Sequence, residues 1–269
     1  MTASEPAPKA VPEEGTRIEP DWTAWLQRWE AQQSRGLPAR EERFQVMIDF
    51  VRAAVGLAPK LVDLGCGPGS LTVRLADGLP GATVLAVDAD PLLLELGRRA
   101  IGDRGGRIQW VLADLRHPGW MAGLPGQVDA ALSTTALHWL SPEELAGLVR
   151  RLAALIRPGG VFLNGDNMTF DPQQAGLQQV ADRLGEQAAR REGETAGGET
   201  WHEWWAAVSA EPGFQALLRQ RSAAGWGGHP DHRMPGELTF LRAALLRSGF
   251  AEADTVWQRL DNRVLASIR

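Results

Sequence analysis

The chain is poor in several residue types on which common chemistries depend. Its 269 residues include one cysteine, no tyrosine and only two lysines, Lys9 and Lys60, against 26 arginines. A disulfide bond within the chain is therefore impossible, and cysteine-rich zinc or iron–sulfur sites are excluded. The Tyr/Lys pair of short-chain dehydrogenases cannot be built either. Catalysis must depend on histidine, carboxylates, arginine, tryptophan, hydroxyl groups or a bound cofactor.

Two further absences bear on location and partners. No run of about 18 apolar residues occurs, and segment 1–15 has neither a basic start nor an apolar core. We therefore expect no membrane span, no secretory signal and a cytoplasmic location. The formal net charge of -5 and the isoelectric point of about 5.6 argue against a surface built to neutralise phosphates. Nucleic acid is consequently not the expected partner.

Hydropathy patterning changes along the chain and predicts five segments. The first is rich in Pro, Glu and Ala without periodicity, which is typical of a disordered tail. In the third, short apolar runs alternate with amphipathic helices, which predicts a parallel sheet with crossover helices. The segments are 1–18 (disordered tail), 19–57 (N-terminal helical lid), 58–165 (α/β core), 166–236 (helical insertion or cap) and 237–269 (C-terminal helix and strand pair completing the sheet).

Apolar runs and capping signals predict the individual elements. Ser141 and Glu144 form a capping box, and the buried stripe of the helix that follows reaches Ile156. Thr200 and Glu203 form a second capping box in the insertion. Strands are predicted at 61–65, 83–89, 108–114, 128–134, 161–165, 254–259 and 262–268, and helices near Asp21, Pro38, Ser70, Pro91, Ser141 and Thr200, at 172–191 and at 237–248.

A glycine-rich segment follows the first predicted strand of the core. Gly65, Gly67 and Gly69 stand between a strand and a helix, where glycines allow a tight turn and let a ligand approach the backbone. The spacing G-x-G-x-G differs from the dinucleotide pattern G-x-G-x-x-G, and Asp63 lies two residues before the first glycine. Because a carboxylate repels a pyrophosphate, this position favours a ligand with a positively charged amine.

Two more carboxylates lie at the ends of the next two predicted strands. Asp88 lies 23 positions after Gly65, where a carboxylate can accept both hydroxyl hydrogens of a ribose. Asp114 could accept a hydrogen bond from an adenine amino group, while the backbone amide of Leu115 donates to the ring. Together with the glycine loop, these carboxylates predict a nucleoside site without phosphates.

These residues resemble a known family. The chain is similar to the class I S-adenosylmethionine-dependent methyltransferases in the segment VDLGCGPGS, in Asp88 and Asp114, and in the stretch LSTTALHWL. The resemblance is strong over 60–165 and looser in the final strand pair. ALHWL and the SPEEL helix after it resemble the small-molecule branch that includes trans-aconitate and juvenile hormone acid carboxyl methyltransferases. The resemblance implies a doubly wound, Rossmann-like α/β sheet, mostly parallel with a C-terminal antiparallel strand.

The same resemblance implies a cofactor and its contacts. S-adenosylmethionine would be bound, S-adenosylhomocysteine would be the product, and no metal is expected. Asp63 and the loop amides would hold the methionine part, Asp88 the ribose, and Asp114 with Leu115 the adenine, while Ser133 would line the sulfonium. The predicted cofactor residues are Asp63, Gly65, Cys66, Gly67, Gly69, Asp88, Ala89, Asp114, Leu115 and Ser133.

The acceptor is expected beyond the fourth strand of the core, at His138 and Trp139. His138 is the predicted catalytic residue, either as a base or by orienting the acceptor; a histidine merely packed at a strand end is the alternative. A carboxylate acceptor needs no base, whereas a hydroxyl or amine needs a route for its proton. The predicted substrate residues are Trp29, Gln33, His138, Trp139, Trp201 and Trp205.

Other residues allow two interpretations. Trp22 and Trp25 fit either a lid or a helix–helix core. Arg43 could reach the carboxylate of the cofactor or be an exposed helix arginine. His229 and His232 share a loop but lack a third ligand, so no metal site is predicted there.

Three functions remain open. The first is in-line methyl transfer to a small molecule, most simply to an oxygen of a carboxylate or hydroxyl group. The second is an RNA or protein methyltransferase, which would need a basic rim; its only sign is the arginines of the insertion, Arg190, Arg191, Arg219 and Arg221. The third is a non-catalytic or nicotinamide-binding Rossmann protein. Neither the acceptor nor the choice between monomer and homodimer follows from the sequence.

Overall fold

A single mixed sheet organises the part of the chain that the structure describes. The structure is a computed structural model, and it describes residues 19–37, 39–124, 126–196, 199–225 and 236–269. The predicted tail and the two histidines of the 226–235 loop lie outside the described residues. Across the described ranges the strands are β1 (Lys60–Leu64), β2 (Thr83–Asp88), β3 (Ile108–Leu112), β4 (Val128–Thr134), β5 (Ile156–Asn167), β6 (Glu252–Arg259) and β7 (Asn262–Ile268).

The strand order confirms the predicted fold class. The sheet runs β3-β2-β1-β4-β5-β7-β6, and the pairs among β1 to β5 are parallel. β7 is antiparallel to both β5 and β6. The direction of winding reverses between β1 and β4, which opens a crevice at the carboxyl ends of these strands. Ligands of doubly wound sheets bind at this place.

Helices cover both faces of the sheet and its carboxyl edge. Ser141 and Thr200 make the predicted capping boxes with Glu144 and Glu203, and Asp21 caps the first helix through the amide of Ala24. The capping residues predict these helix starts correctly, because their hydroxyl or carboxylate oxygen accepts a hydrogen bond from a backbone amide of the first turn. The helices are α1 (Trp22–Gly36), α2 (Arg40–Val55), α3 (Ser70–Gly78), α4 (Pro91–Ile101), α5 (Pro142–Leu155), α6 (Ala175–Ala196), α7 (Trp201–Ala210), α8 (Gln215–Ala223) and α9 (Glu237–Arg247).

Some element ends differ from the prediction. Ile156 opens β5 and pairs with Val128 instead of ending the preceding helix. The residue before a proline disfavours the helical region, so α5 ends ahead of Pro158. The insertion helix begins at Ala175 and extends to Ala196, beyond the predicted end near 191. The extension includes a glycine, but a glycine lowers helix stability by only about 1 kcal/mol, which the neighbouring turns can offset.

Three large apolar clusters and one small one hold the described layers together. One lies between the sheet and α5 and α9, and a second lies between the sheet and α2 and α3. The third lies outside the sheet, where Trp25, Trp29, Trp204 and Phe214 pack with Leu92 of α4. Helix α1, which precedes β1 in the sequence, and helices α7 and α8, which follow β5, therefore share one small core above the crevice. We call α1, α7 and α8 the cap.

Across the described ranges, none of the helices has both the length and the apolar character needed to span a bilayer.

Candidate active site

A cavity of about 550 Å³ lies between the carboxyl edge of the sheet and the cap. Most residues predicted from the sequence meet on its wall. Those on the wall are Trp29, Gln33, Gly65, Cys66, Gly67, Asp88, Ala89, Asp114, Leu115, His138, Trp139, Trp201 and Trp205. Asp63, Gly69 and Ser133 are absent from this wall. The predicted cofactor half and acceptor half thus border one shared space.

The glycine loop makes one edge of the cavity. Gly65 has a φ of +68°, and a Cβ placed on it would overlap the Cβ of Ala136. Gly67 has a φ of +54° with open space around it. A side chain at either position would be strained, and at Gly65 it would also collide with the loop after β4. The sequence uses glycine here because the chain must turn sharply while leaving room for a ligand.

The amides of this loop bond to acceptors within the protein. Gly65 and Cys66 both donate to the carbonyl of Val87, at 2.8 and 3.0 Å. The amide of Gly69 donates to the carbonyl of Cys66 at 2.9 Å. The expected contact between a ligand and the loop amides stays a prediction, and these three amides already have acceptors within the protein.

Asp63 lies beneath the loop in a fully buried position. Its Oδ2 accepts a hydrogen bond of 2.5 Å from the hydroxyl of Thr72, while its buried Oδ1 has no hydrogen-bond partner. Burial raises the pKa of Asp63 to about 7, with a smaller contribution from the charge of Asp88. An uncompensated carboxylate here favours a positive charge close by, although Asp63 itself does not border the cavity.

Ser133 also lies below the cavity wall. Its side chain is fully buried and donates a 2.7 Å hydrogen bond to the carbonyl of Leu64, which ties β4 to β1. The predicted contact with a sulfonium stays a prediction, and in this structure the serine hydroxyl bonds across the sheet. Thr134 and Thr135, the next two residues, line the cavity instead.

Asp88 borders the cavity at the end of β2. Its Oδ2 accepts from the amide of Gly67 at 2.6 Å and its Oδ1 from the amide of Asp90 at 2.7 Å. Burial, followed by the charge of Asp90, raises the pKa of Asp88 to about 6. Each carboxylate oxygen has a second acceptor position, so Asp88 can still accept from a bound hydroxyl.

Asp114 lies two residues beyond β3 and pairs with Arg116. The guanidinium Nε of Arg116 lies 2.8 Å from Oδ2, and its amide lies 2.8 Å from Oδ1. Burial alone would raise the pKa of Asp114, but these contacts outweigh it and hold the pKa below its ordinary value. The carboxylate is therefore ionised and shared, while the buried Leu115 beside it forms an apolar part of the wall.

His138 follows β4 on a short 3₁₀ turn and pairs with a residue that the sequence did not suggest. Its Nδ1 lies 3.0 Å from both carboxylate oxygens of Asp166 on β5. The side chain of His138 is 17% exposed and that of Asp166 is 1% exposed. Burial would raise the pKa of Asp166, but His138 and then Arg43 outweigh burial and hold it below its ordinary value. An ionised Asp166 requires Nδ1 to carry the proton, so Nε2 is the nitrogen that accepts one.

Arg43 on α2 lies behind this pair. It is fully buried and donates to Asn262 at 3.0 Å and to Thr134 at 2.8 Å. The interpretation as an exposed helix arginine is wrong, and the cavity wall does not include Arg43. Burial lowers the pKa of Arg43 to about 10, so the group remains charged and supports the ionised state of Asp166.

A second set of ion pairs lies between the cap and the start of α3. Glu30 accepts from Arg40 at 2.9 and 3.3 Å, from Arg74 at 2.9 Å, and from the hydroxyl of Ser70. Burial disfavours ionisation of Glu30, but Arg40, Ser70 and Arg74 outweigh it and lower its pKa to about 2. The only sign of this cluster in the sequence is the run of charged residues that begins α2.

Of the insertion arginines that could form a basic rim, two of the three whose side chains the structure describes lie on the exposed surface, away from the cavity wall. Arg221 borders the cavity, lies 2.5 Å from Asp90 and stacks over Trp205 at 4.2 Å. Arg190 is exposed and pairs with Glu186, and Arg219 is exposed. The side chain of Arg191 lies outside the described residues. One of the three described arginines therefore faces inward.

The tryptophans divide into two groups. Trp29, Trp201 and Trp205 border the cavity. Trp22 and Trp25 pack on Phe214 at centroid distances of 5.3 and 5.2 Å, within the core of the cap. Helical spacing could not separate these groups, because Trp25 and Trp29 lie four residues apart on one stripe of α1 and both pack in the core of the cap. Among the described residues, no three His, Cys, Asp or Glu side chains are grouped as metal ligands.

Comparison with known families agrees with this geometry. Residues 61–160 match the sequence profile described as a methyltransferase domain. The chain is also 32% identical, over 202 residues, to a trans-aconitate 2-methyltransferase of Streptomyces coelicolor, covering 70% of this chain and 60% of that protein. These matches indicate a methyltransferase domain of the class I type over residues 61–160.

A further relative is similar over part of its length. A trans-aconitate 2-methyltransferase of Azoarcus sp. is 35% identical over 50% of this chain and 49% of its own length. The chain thus spans between about half and three fifths of these two relatives. The structure of magnesium protoporphyrin IX methyltransferase from Synechocystis has a TM-score of 0.53 at 17% identity, covering 92% of this chain and 94% of that chain. At this identity the likeness shows the fold.

Proposed function

We propose that the chain transfers a methyl group from S-adenosylmethionine to an oxygen atom of a small molecule. One observation carries the proposal. A single cavity joins the glycine loop and the carboxylates of the sheet edge to the His138–Asp166 pair beneath an aromatic cap. The trans-aconitate 2-methyltransferases among its relatives support a small-molecule acceptor.

The residues on the wall fit this cofactor. Gly65 and Gly67 leave a cradle that a Cβ would fill or strain. Asp88 retains acceptor positions for a ribose, and the apolar Leu115 with Asp114 provides a surface for adenine. The carboxylates Asp88, Asp90, Asp114 and Asp166 border the same space, which suits a ligand carrying an ammonium and a sulfonium.

Methyl transfer requires the protein mainly to position the two reactants. S-adenosylmethionine supplies a methyl carbon on a positively charged sulfur, and the electrons of the broken carbon–sulfur bond stay on that sulfur. The side chains must align the acceptor oxygen, exclude water and, where the oxygen carries a proton, receive it. His138 can either accept that proton at Nε2 or orient the acceptor, and Trp139 forms the adjoining wall.

We also propose that the cap acts as a lid and that the division at 19–57, 58–165, 166–236 and 237–269 reflects function. Two ion pairs support this proposal. One joins two parts of the cap to each other, and the other joins the cap to the core. Arg28 on α1 bonds to Glu199, which precedes α7, at 2.7 and 2.8 Å. Arg221 on α8 bonds to Asp90 at the start of α4. Opening the cap would expose the cavity to solvent.

The proposal is tested first by binding and then by transfer. Titration calorimetry should show that S-adenosylhomocysteine binds and that NADPH does not. Methyl-labelled S-adenosylmethionine is then incubated with separated small-metabolite, RNA and protein fractions, and with trans-aconitate. We expect label in the small-metabolite fraction. Label in RNA or protein, or tight NADPH binding without S-adenosylhomocysteine binding, would contradict the proposal.

A further inference from the structure

The acceptor side of the cavity is largely aromatic. Trp29, Trp139, Trp201 and Trp205 border it, and the rings of Trp201 and Trp205 lie 6.0 Å apart. Trp29 is held by an edge-to-face contact with the buried Trp204 at 5.0 Å. Such a surface stacks on flat aromatic molecules and gains free energy by excluding water.

The positive charges on the described part of the wall already have carboxylate partners. Arg40 is 4% exposed and bonds to Glu30 through both terminal nitrogens. Arg221 bonds to Asp90. Arg221 also stacks over Trp205 at 4.2 Å, so both guanidinium groups are already held by contacts within the protein. The remaining basic groups on the wall are His138, which bonds to Asp166, and His202 on the exposed rim.

The carboxylates on the same wall are engaged as well. Asp90 bonds to Arg221, Asp114 to Arg116 and Asp166 to His138, and the two oxygens of Asp88 accept backbone amides. A charged acceptor would therefore enter a partly buried space in which the described part of the wall has already paired its charges. Burying an ion without a partner is costly. The wall therefore disfavours charged acceptors of either sign.

The His138–Asp166 pair indicates what the acceptor must release. Asp166 is buried and ionised and holds the proton of His138 on Nδ1. This arrangement stabilises an imidazolium, which forms when Nε2 receives a proton. A carboxylate acceptor at neutral pH has no proton to release, whereas a hydroxyl group has one.

We propose that the acceptor is an uncharged aromatic molecule bearing a hydroxyl group, and that the aromatic wall and the paired arginines reject a carboxylate in its place. This inference rests on the proposed function and narrows its acceptor class. As the oxygen bonds to the methyl carbon, the hydroxyl proton passes to Nε2 of His138, and water later removes it. The carbon–sulfur bond breaks with its electrons on sulfur, so the products are the methyl ether, S-adenosylhomocysteine and one released proton, and atoms and charge are conserved.

The test compares the binding of three probes that share a naphthalene ring and differ in charge. S-adenosylhomocysteine is first bound to the protein, which tests the proposed function by itself. The complex is then titrated at pH 7.5 with 2-naphthol, 2-naphthoate and 2-naphthylmethylammonium, and the fluorescence of its 11 tryptophans is followed. We expect 2-naphthol to bind at least about tenfold more tightly than 2-naphthoate, a difference that corresponds to one unpaired charge at a partly buried site.

Each outcome of the titration decides between distinct statements. Failure of S-adenosylhomocysteine to bind would overturn the proposed function and this inference with it. Binding of S-adenosylhomocysteine with equal or tighter binding of 2-naphthoate or of the ammonium probe would overturn the inference alone. Absence of binding by all three probes would contradict the aromatic acceptor site. With methyl-labelled S-adenosylmethionine, 2-naphthol should also yield base-stable label.

A gain of charge provides an independent check. Gln33 borders the cavity on α1, whereas Gln27 on the same helix is exposed and away from the wall. Gln33→Arg should raise 2-naphthoate affinity by about five- to tenfold relative to 2-naphthol, because it supplies the missing cation. Gln27→Arg is the matched control and should leave the ratio unchanged. An unchanged ratio in Gln33→Arg would show that charge on this wall does not select the acceptor.

Discussion

The two sides of the cavity are built in different ways. On the cofactor side, contacts are short-range: Asp88 bonds to the amides of Gly67 and Asp90, which are 21 and 2 positions away. In the cap, which covers the acceptor side, ion pairs join more distant parts of the chain, with 131 positions between Arg221 and Asp90 and 171 between Arg28 and Glu199. The first side is set by strand ends and tight turns, and the second by tertiary packing.

This difference has a functional consequence. A site made of backbone amides and strand-end carboxylates is held by the sheet itself, so it suits a ligand common to many proteins. A site made of long-range side-chain pairs can change through a few substitutions without disturbing the sheet. We therefore expect variants of the acceptor side to change turnover or selectivity, and variants of the sheet edge to change cofactor affinity or stability.

The largest effect is expected at the His138–Asp166 pair. His138→Ala and Asp166→Asn should each lower turnover by about 10²- to 10⁴-fold, because they remove the proton acceptor or its correct tautomer. Affinity for S-adenosylhomocysteine should stay nearly unchanged, which calorimetry checks beside the rate assay. His117→Ala, an exposed histidine outside the cavity, is the control. Normal turnover in His138→Ala would remove His138 from the mechanism.

The next effect concerns Asp63 and the stability of the ligand-free protein. Its folded pKa of about 7 lies above the ordinary value, so the folded state keeps a proton that the unfolded state loses. The stability that this proton gives is full below about pH 4 and is lost as pH rises to about 7. Asp63→Asn should therefore raise the free energy of unfolding at pH 8 by about 2–4 kcal/mol and change it little at pH 4.

Denaturant titration at the two pH values checks this expectation. Asp77→Asn, on an exposed side chain of α3, is the control and should show no such pH dependence. Equal stability of Asp63→Asn and the unsubstituted protein at pH 8 would mean that the buried carboxylate of Asp63 is compensated without a ligand.

Particular residues show how far the sequence could predict this site. Asp88, the glycine loop and the strands around them follow from local signals: alternation of apolar runs, turn residues and strand-end position. Asp166 could not be predicted, because its distance from His138 depends on the pairing of β4 with β5. Arg43 was wrongly expected to be exposed, since nothing in its helix shows that the sheet and Asn262 cover it.

A smaller effect is expected in cofactor affinity at the sheet edge. Asp88→Asn should weaken S-adenosylhomocysteine binding by about 10- to 100-fold, since a hydrogen bond to a charged group contributes about 1.5–3 kcal/mol. Asp114→Asn should weaken it less, because Arg116 already shares that carboxylate. Calorimetry at constant pH measures both. A larger loss for Asp114→Asn would assign the dominant contact to the end of β3 instead of β2.

The smallest effect concerns two helix-capping residues, and it compares the stability of the sheet with that of the cap. Ser141 caps α5, which packs on the sheet, and Thr200 caps α7, which packs within the cap. Replacing either residue with alanine should cost about 1 kcal/mol locally. Ser141→Ala should lower global stability by that amount, whereas Thr200→Ala should mainly speed amide exchange in α7 and leave exchange in β1 and β4 unchanged. Amide exchange measured by mass spectrometry distinguishes these results.

If Thr200→Ala speeds exchange in the sheet as well, the cap and the sheet unfold as one unit. The cap could then open only by rigid movement, and the difference between the two sides of the cavity would concern chemistry and not stability.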